Sequence, residues 1–247
     1  MIEEIKEEIK EEIKEKTKET EEPKIDSNEM TEAGLHFGHR TSKIHPKMKP
    51  YLFAAKNGVH MIDVAKTKEK LDETLEFIKK FIAEDKVLLL VGTKIQFKEL
   101  VKQIGEEAKI PYITRRWLGG TFTNFDSIKK RIDHFKDLEE RKEKGELEKY
   151  TKKEKLKMDR ELENLQSKFG GIKEMNKLPD AIFAVDMKKD GLAIKEARIK
   201  GITVIAIADT NVDPSLANYI IPANDDAISS VKYILEKVKE AILSSRK

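Results

Sequence analysis

VLLLVGT, residues 87–93, is an unbroken apolar run of strand length that stops at Gly92. A strand with one wet face alternates polar and apolar residues, whereas one buried on both faces is apolar throughout, so this run belongs inside a parallel sheet covered by helices. AIFAVD (181–186), TVIAIAD (203–209) and YIIPA (219–223) repeat the pattern, with the shorter PYIT (111–114) beside them. Helical patterns separate the runs. Apolar residues recur at three- and four-residue steps at Leu71, Leu75, Ile78 and Ile82, then at Phe97, Leu100, Val101, Ile104 and Ala108. A further helix is expected near residues 188–200, and a last one through Ile228, Val231, Leu235, Val238 and Ile242. Short apolar strands alternating with amphipathic helices read as βαβ units, each crossover helix covering the sheet.

The alternation predicts an α/β fold over residues 29–247: a parallel sheet sandwiched by helices, flavodoxin- or Rossmann-like in its layering. One insertion interrupts it. Residues 126–170 are rich in Lys and Glu, with apolar positions at Ile128, Ile132 and Phe135 and again at Met158, Leu162, Leu165 and Phe169. Two helices turning at Gly145 are expected, a protruding antiparallel hairpin whose arms of about 20 residues reach roughly 30 Å. The hairpin reads as an appendage rather than a second core. Residues 51–62, YLFAAKNGVHMI, read as two short β segments around Asn57-Gly58, a pair suited to the positive φ of a tight turn. Residues 1–28 form an acidic, low-complexity extension in which Ile2, Ile5, Ile9 and Ile13 lie along one side of a helix. That stripe is too narrow to fold alone, so the expectation is a solvated charge run ended by Pro23.

Of 247 residues, 38% are charged and 38% hydrophobic, which describes a highly charged protein with a real core. Its apolar runs fall far short of the roughly 18 residues that cross a bilayer. With no cysteine there is no disulfide, no Cys-type zinc site and no thiol nucleophile, as fits a reducing compartment. The acidic N-terminus lacks an apolar h-region and so reads as neither a secretory nor a transit signal. The cytoplasm is the expected location.

The net charge of +3 hides an asymmetry: residues 1–30 hold 6 Lys against 12 acids, which leaves +9 on the rest. Residues 33–62 contain no acid at all, yet carry Arg40, Lys43, Lys47, Lys49 and Lys56 with four of the five histidines. A second acid-free window, residues 108–125, carries Lys109, Arg115 and Arg116 beside Tyr112, Trp117, Phe122 and Phe125. Cations without neighbouring carboxylates can meet phosphates without first breaking internal ion pairs, and interleaved aromatics can stack on unpaired bases. A solvated lysine face over core aromatics is the competing reading.

Enzymatic signatures are weak. The turn after the first long strand, GTKIQF, has one glycine and neither Gly-x-Gly-x-x-Gly nor Gly-Lys-Ser/Thr, so it lacks the loop that cradles a pyrophosphate. Asp186, Asp209, Asp213, Asp225 and Asp226 cluster where strands end and could collect a hard cation. Helix capping explains several of them equally well: Asp213 precedes Pro214, and Asn224 or Asp225 can cap the last helix. His36 and His39 are three residues apart, but Gly34, Gly38 and Pro46 spoil the helix that would let them share a metal. No catalytic, cofactor-binding or metal residue is assigned.

GLHFGHRT (34–41), HPKMKPYLFAAKNGVHMIDVAKT (45–67), RRWLGGTFTNF (115–125), LPDAIFAVD (178–186) and TVIAIADTNVDPSLANYIIPANDDAISSV (203–231) together resemble the bacterial ribosomal S-two family, in order, from about Glu29 to Lys239. That resemblance implies a parallel α/β domain with a protruding helical hairpin, seated on the small ribosomal subunit. It implies no enzymatic activity and no cofactor, with small-subunit ribosomal RNA, neighbouring small-subunit proteins and the mobile protein S-one as partners. Where the family usually has Trp-Asn before Pro-Lys-Met, this chain has Ile44-His45.

The expected RNA contacts are therefore Arg40, Lys43, Lys47, Lys49, Lys56, Arg115 and Arg116 at phosphates, with Trp117 and Asn124 positioning the second loop. Trp117 has a second reading as a core anchor, since an indole buries much apolar area. Two rival functions are a metal- or nucleotide-dependent enzyme using Asp186 and Asp209, and a coiled-coil adaptor acting through residues 126–170.

Overall fold

In the computed structural model, which describes residues 25–246, the chain opens with α1 (Ser27–Glu32), β1 (Phe37–Arg40), β2 (Leu52–Lys56), β3 (Val59–Ile62) and α2 (Val64–Ala83). It continues through β4 (Leu88–Val91), α3 (Lys98–Glu107), β5 (Tyr112–Ile113), α4 (Phe125–Glu143) and α5 (Lys152–Phe169). β6 (Ala181–Ala184), α6 (Gly191–Ile199), β7 (Thr203–Ala208), β8 (Tyr219–Pro222) and α7 (Ile228–Ser245) complete it. The isoleucine stripe at residues 2–13 lies outside the described residues.

The five later strands form one parallel sheet in the order β5-β4-β6-β7-β8. Both faces are dry, and the side chains divide between them with the period of two that a pleated strand imposes. Leu88, Leu90, Phe183, Ile205 and Ile207 pack into one core with α2, α3 and α7, while Leu89, Val91, Ile182, Val204 and Ala206 pack into the other. Phe183, Ile205, Leu89 and Val204 are each fully buried, which is worth roughly 1.5–3 kcal/mol for a large side chain.

The second core changes the reading of residues 126–170. Ile132, Phe135 and Leu138 of α4 and Leu165 and Phe169 of α5 are buried in it together with α6. Both helices therefore contribute side chains to the same core as one face of the sheet. They lie against each other, with His134 at 3.2 Å from Glu161 and Lys142 at 2.7 Å from Asp159. Gly145, at φ +71°, follows α4, and a Thr151–Glu154 capping box starts α5.

A separate three-stranded antiparallel sheet, β1-β3-β2, includes the expected hairpin, with Asn57 and Gly58 at φ +52° and +76°. Its third strand, β1, had no alternating pattern to announce it. Asn224, not Asp225, prepares α7: its Oδ1 accepts from the N–H groups of Asp226 and Ala227.

Candidate nucleic-acid interface

Both acid-free windows reach the end of the sheet where the parallel strands finish. Residues 36–62 are tied to Thr210, just past β7: the His45 N–H donates to the Thr210 carbonyl at 2.8 Å, and the His39 N–H to its Oγ1 at 3.0 Å. The contact is close enough that a Cβ on Gly38 would come 2.4 Å from the Thr210 methyl. The second window contains β5 and runs on past its end.

Arg40, Lys43, Lys49 and Lys56 are exposed and make no ion pair among the described residues. Lys47 differs. Its ammonium lies 2.8 Å from Asp213 Oδ2 and 2.7 Å from Ser215 Oγ, so the cation expected to be free is already neutralised within the fold. Lys47 and the Ser215 hydroxyl in turn hold the Asp213 carboxyl well below the usual carboxylate range. The window is acid-free along the chain but not in space.

In the second window Arg115 and Arg116 are exposed, whereas Trp117 is only 5% exposed and meets Phe122 edge-on with ring centroids 4.8 Å apart. Glu196 of α6 organises this loop. Its carboxylate accepts from the backbone N–H groups of Gly120 (2.8 Å), Phe122 (3.0 Å) and Thr123 (3.3 Å), and from the indole N–H of Trp117 (3.3 Å). Burial works to raise its pKa, but these donors outweigh burial and hold the carboxyl below its ordinary value. Asn124 stands exposed at the N-cap of α4, and its side chain makes no capping bond.

Two of the four aromatics of the second window are turned inward. Phe122 is fully buried and Trp117 takes its core-anchor role, so neither ring is available to stack on bases, whereas Tyr112 and Phe125 are half-buried. Phe37 and Tyr150 are exposed, but the aromatic that stands furthest into solvent among the described residues is Phe53 on β2, 80% exposed and three residues before Lys56. The signal available in the sequence was its place in a short β segment, YLFAAK, inside the acid-free window.

The strand-end acids gather around a lysine. Lys94, just past β4, lies 2.6 Å from Asp186, 2.9 Å from Asp225 and 2.9 Å from Asp226. This is the switch point between β4 and β6, where an open α/β sheet ordinarily receives a ligand, and the ammonium sits in it. Burial opposes the charge on Lys94, yet the three carboxylates raise its pKa overall. Burial, reinforced by Asp186 and Asp209, pushes Asp225 up to about 7 despite Lys94. His39 Nδ1 lies 2.9 Å from Asp209, and this bond raises the histidine's pKa against the effect of burial. One ligand atom from each of His39, Asp209 and Asp226 falls within 4.8 Å of the others, so these three could hold a metal. His36 is not part of that group; its ring packs on Phe37 at 4.0 Å. The adjoining cavity of about 450 Å³ carries Lys188, Lys189 and Asn211 as well.

The sequence profile of the family described as "Ribosomal protein S2" matches residues 30–245. Proteins called "Small ribosomal subunit protein uS2" from Roseiflexus sp. (strain RS-1) and Roseiflexus castenholzii are each 46% identical over 222 residues, 90% of this chain and 85% and 84% of theirs. One of the same description from Coprothermobacter proteolyticus is 45% identical over 90% of this chain and 83% of its own. Among the described residues no helix is long and apolar enough to cross a membrane.

Proposed function

Since the chain belongs to the ribosomal protein S2 family of the small subunit, we propose that it is a structural constituent that binds small-subunit ribosomal RNA and takes part in no catalysis. The observation that carries this reading is a set of six exposed cations, Arg40, Lys43, Lys49, Lys56, Arg115 and Arg116, without ion pairs among the described residues. Each can meet a phosphate without giving up an internal partner, and the counterions released from the RNA supply the driving force. Glu196 holds the loop that follows Arg115 and Arg116, Asn124 offers an unengaged amide in that loop, and Phe53 offers a face for an unpaired base. Exposed lysines of α4 and α5 add attraction that is independent of sequence, in a hairpin arm laid along the RNA.

Cytoplasmic ribosomes, other small-subunit proteins and the docking of protein S-one complete the proposal, and S-one rests on the family resemblance alone. The enzyme reading is disfavoured by Lys94, whose ammonium occupies the crevice a substrate would enter. Sucrose-gradient fractionation of a cell lysate tests the assignment. Nearly all of the chain should sediment with small subunits and whole ribosomes at low salt; a chain that stays at the top of the gradient overturns it.

A further inference from the structure

Helix α3, the edge strand β5 and the end of α5 wall a groove with a cavity of about 290 Å³ that lies apart from the acid-rich strand ends. Lys98 and Lys102 reach it from α3 one turn apart, Arg115 from the segment after β5, and Lys168 from the last turn of α5. The walls meet closely because glycines flank Tyr112. A Cβ on Gly105 would come 2.4 Å from the Tyr112 ring, and one on Gly171 would come 2.2 Å from its carbonyl oxygen. Both separations lie inside van der Waals contact, so only glycine lets the helix and the 170–172 turn approach the strand this far.

Four cations face a single lining carboxylate, Glu99, and none of the four pairs with an acid among the described residues. Among the described residues some surface lysines are engaged, Lys70 with Glu73 at 2.6 Å, Lys142 with Asp159 at 2.7 Å and Lys239 with Glu107 at 2.7 Å, whereas the cations of the groove, like Lys43, Lys49 and Lys56, are not. Like charges drawn from three separate elements repel one another, and Glu99 is the one carboxylate that lines the groove with them.

We propose that this groove is a phosphodiester-binding site that takes the backbone of RNA, adding Lys98, Lys102 and Lys168 to the interface; the inference rests on the RNA-binding reading above. Three features select the ligand. Lys102, Arg115 and Lys168 are exposed and Lys98 half-buried, so the site is an open trough suited to a row of phosphates rather than a closed pocket for one small anion. Tyr112 and Ile113 form its floor with Ile113 buried, so it lacks the projecting apolar anchors on which a protein partner's affinity concentrates. Arg115 belongs to both surfaces, which makes the trough continuous with the second acid-free loop.

The test is filter binding of the purified full chain to small-subunit ribosomal RNA over a series of salt concentrations. The triple substitution Lys98→Gln, Lys102→Gln, Lys168→Gln is compared with a control triple, Lys68→Gln, Lys79→Gln, Lys80→Gln, on α2. The groove triple should weaken binding by about tenfold or more and lower the slope of log K against log salt by about 2, while the control leaves both near wild type. Wild-type binding with an undiminished slope in the groove triple would overturn the site and leave the proposed function standing. Retained RNA affinity with lost incorporation into subunits would mean that the groove faces a protein, which also overturns it. Failure of the wild type to bind RNA at all would remove the functional reading itself. Thermal unfolding of both triples serves as the folding check, with changes within about 0.5 kcal/mol expected per lysine, since none of the six is buried or ion-paired among the described residues.

Discussion

The indole N–H of Trp117 donates to the carboxylate of Glu196 across 3.3 Å inside the protein, joining residues 79 apart in sequence. The same carboxylate gathers three backbone N–H groups of the loop, so one buried acid holds the RWLGGTF segment in shape. Burying a charge is costly unless several donors meet it, and here they do.

Glu196→Ala should therefore destabilise the fold by about 3 kcal/mol, because it orphans several donors at once. Glu196→Gln keeps one acceptor oxygen and should cost about half as much. Since the folded carboxyl titrates below its ordinary value of 4.5, the wild-type contribution is complete above that pH and fades as pH falls through the folded-state value. Denaturant unfolding measures the loss, and hydrogen exchange should show protection falling at the amides of Gly120 and Phe122.

Trp117 is the single tryptophan, so fluorescence reports on it alone. Its emission should be blue-shifted, resistant to acrylamide, and little changed when RNA is added. Strong quenching by bound RNA would return it to the interface. Phe53→Ala, by contrast, should leave stability within about 0.5 kcal/mol while weakening RNA binding, as the side chain is 80% exposed.

Charge reversal at Arg115 and Arg116 should weaken binding to small-subunit ribosomal RNA by at least about tenfold and reduce the salt slope, with the thermal midpoint unmoved. Neither guanidinium pairs with a carboxylate among the described residues, so no internal contact is broken. Filter binding with a parallel melting curve distinguishes a lost contact from a lost fold.

Lys47 and Lys49 are two residues apart and should behave differently. Lys49→Ala removes a free cation and should lower the salt slope by about 0.7–0.9. Lys47→Ala removes the partner of Asp213, so its effect on RNA binding should be smaller, and it should cost up to about 1 kcal/mol of stability as an exposed pair does. Equal slopes for the two variants would contradict the internal pairing.

Asp190 is buried at the start of α6, accepts the Thr93 hydroxyl at 2.6 Å through Oδ1, and leaves Oδ2 without a partner. Burial pushes its carboxyl from 3.8 up to about 6. The folded state then binds more protons than the unfolded chain between those values, so stability falls as pH rises through that window and stays lower above it. Asp190→Asn keeps an acceptor for Thr93 and removes the titration. The difference in unfolding free energy between variant and wild type should grow in the variant's favour by up to about 3 kcal/mol from pH 4 to pH 7.

The runs VLLLV, AIFAV and TVIAIA announced a parallel sheet because apolar character on both sides of a strand is a local pattern, legible wherever burial is two-sided. The exposed Arg40, Lys43, Lys49, Lys56, Arg115 and Arg116 were legible for a similar reason, since stretches free of acids leave few partners close along the chain. β1 was not, because a short edge strand containing Gly38 and His39 carries no periodic signal. Nor was the second core: a helix stripe such as Ile132, Phe135 and Leu138 says that something is covered but not what covers it.

Lys47 beside Asp213, Lys94 amid Asp186, Asp225 and Asp226, and Trp117 on Glu196 are contacts over 166, 92 to 132 and 79 residues. Periodicity is set by neighbours a few positions away, so composition and spacing suffice for layers and for the sign of the surface charge. Whether a given cation is free or neutralised, and whether an aromatic is a platform or a plug, depends on through-space distances of about 3 Å. Those distances come into being when strand order is chosen and distant loops are brought to one end of the sheet.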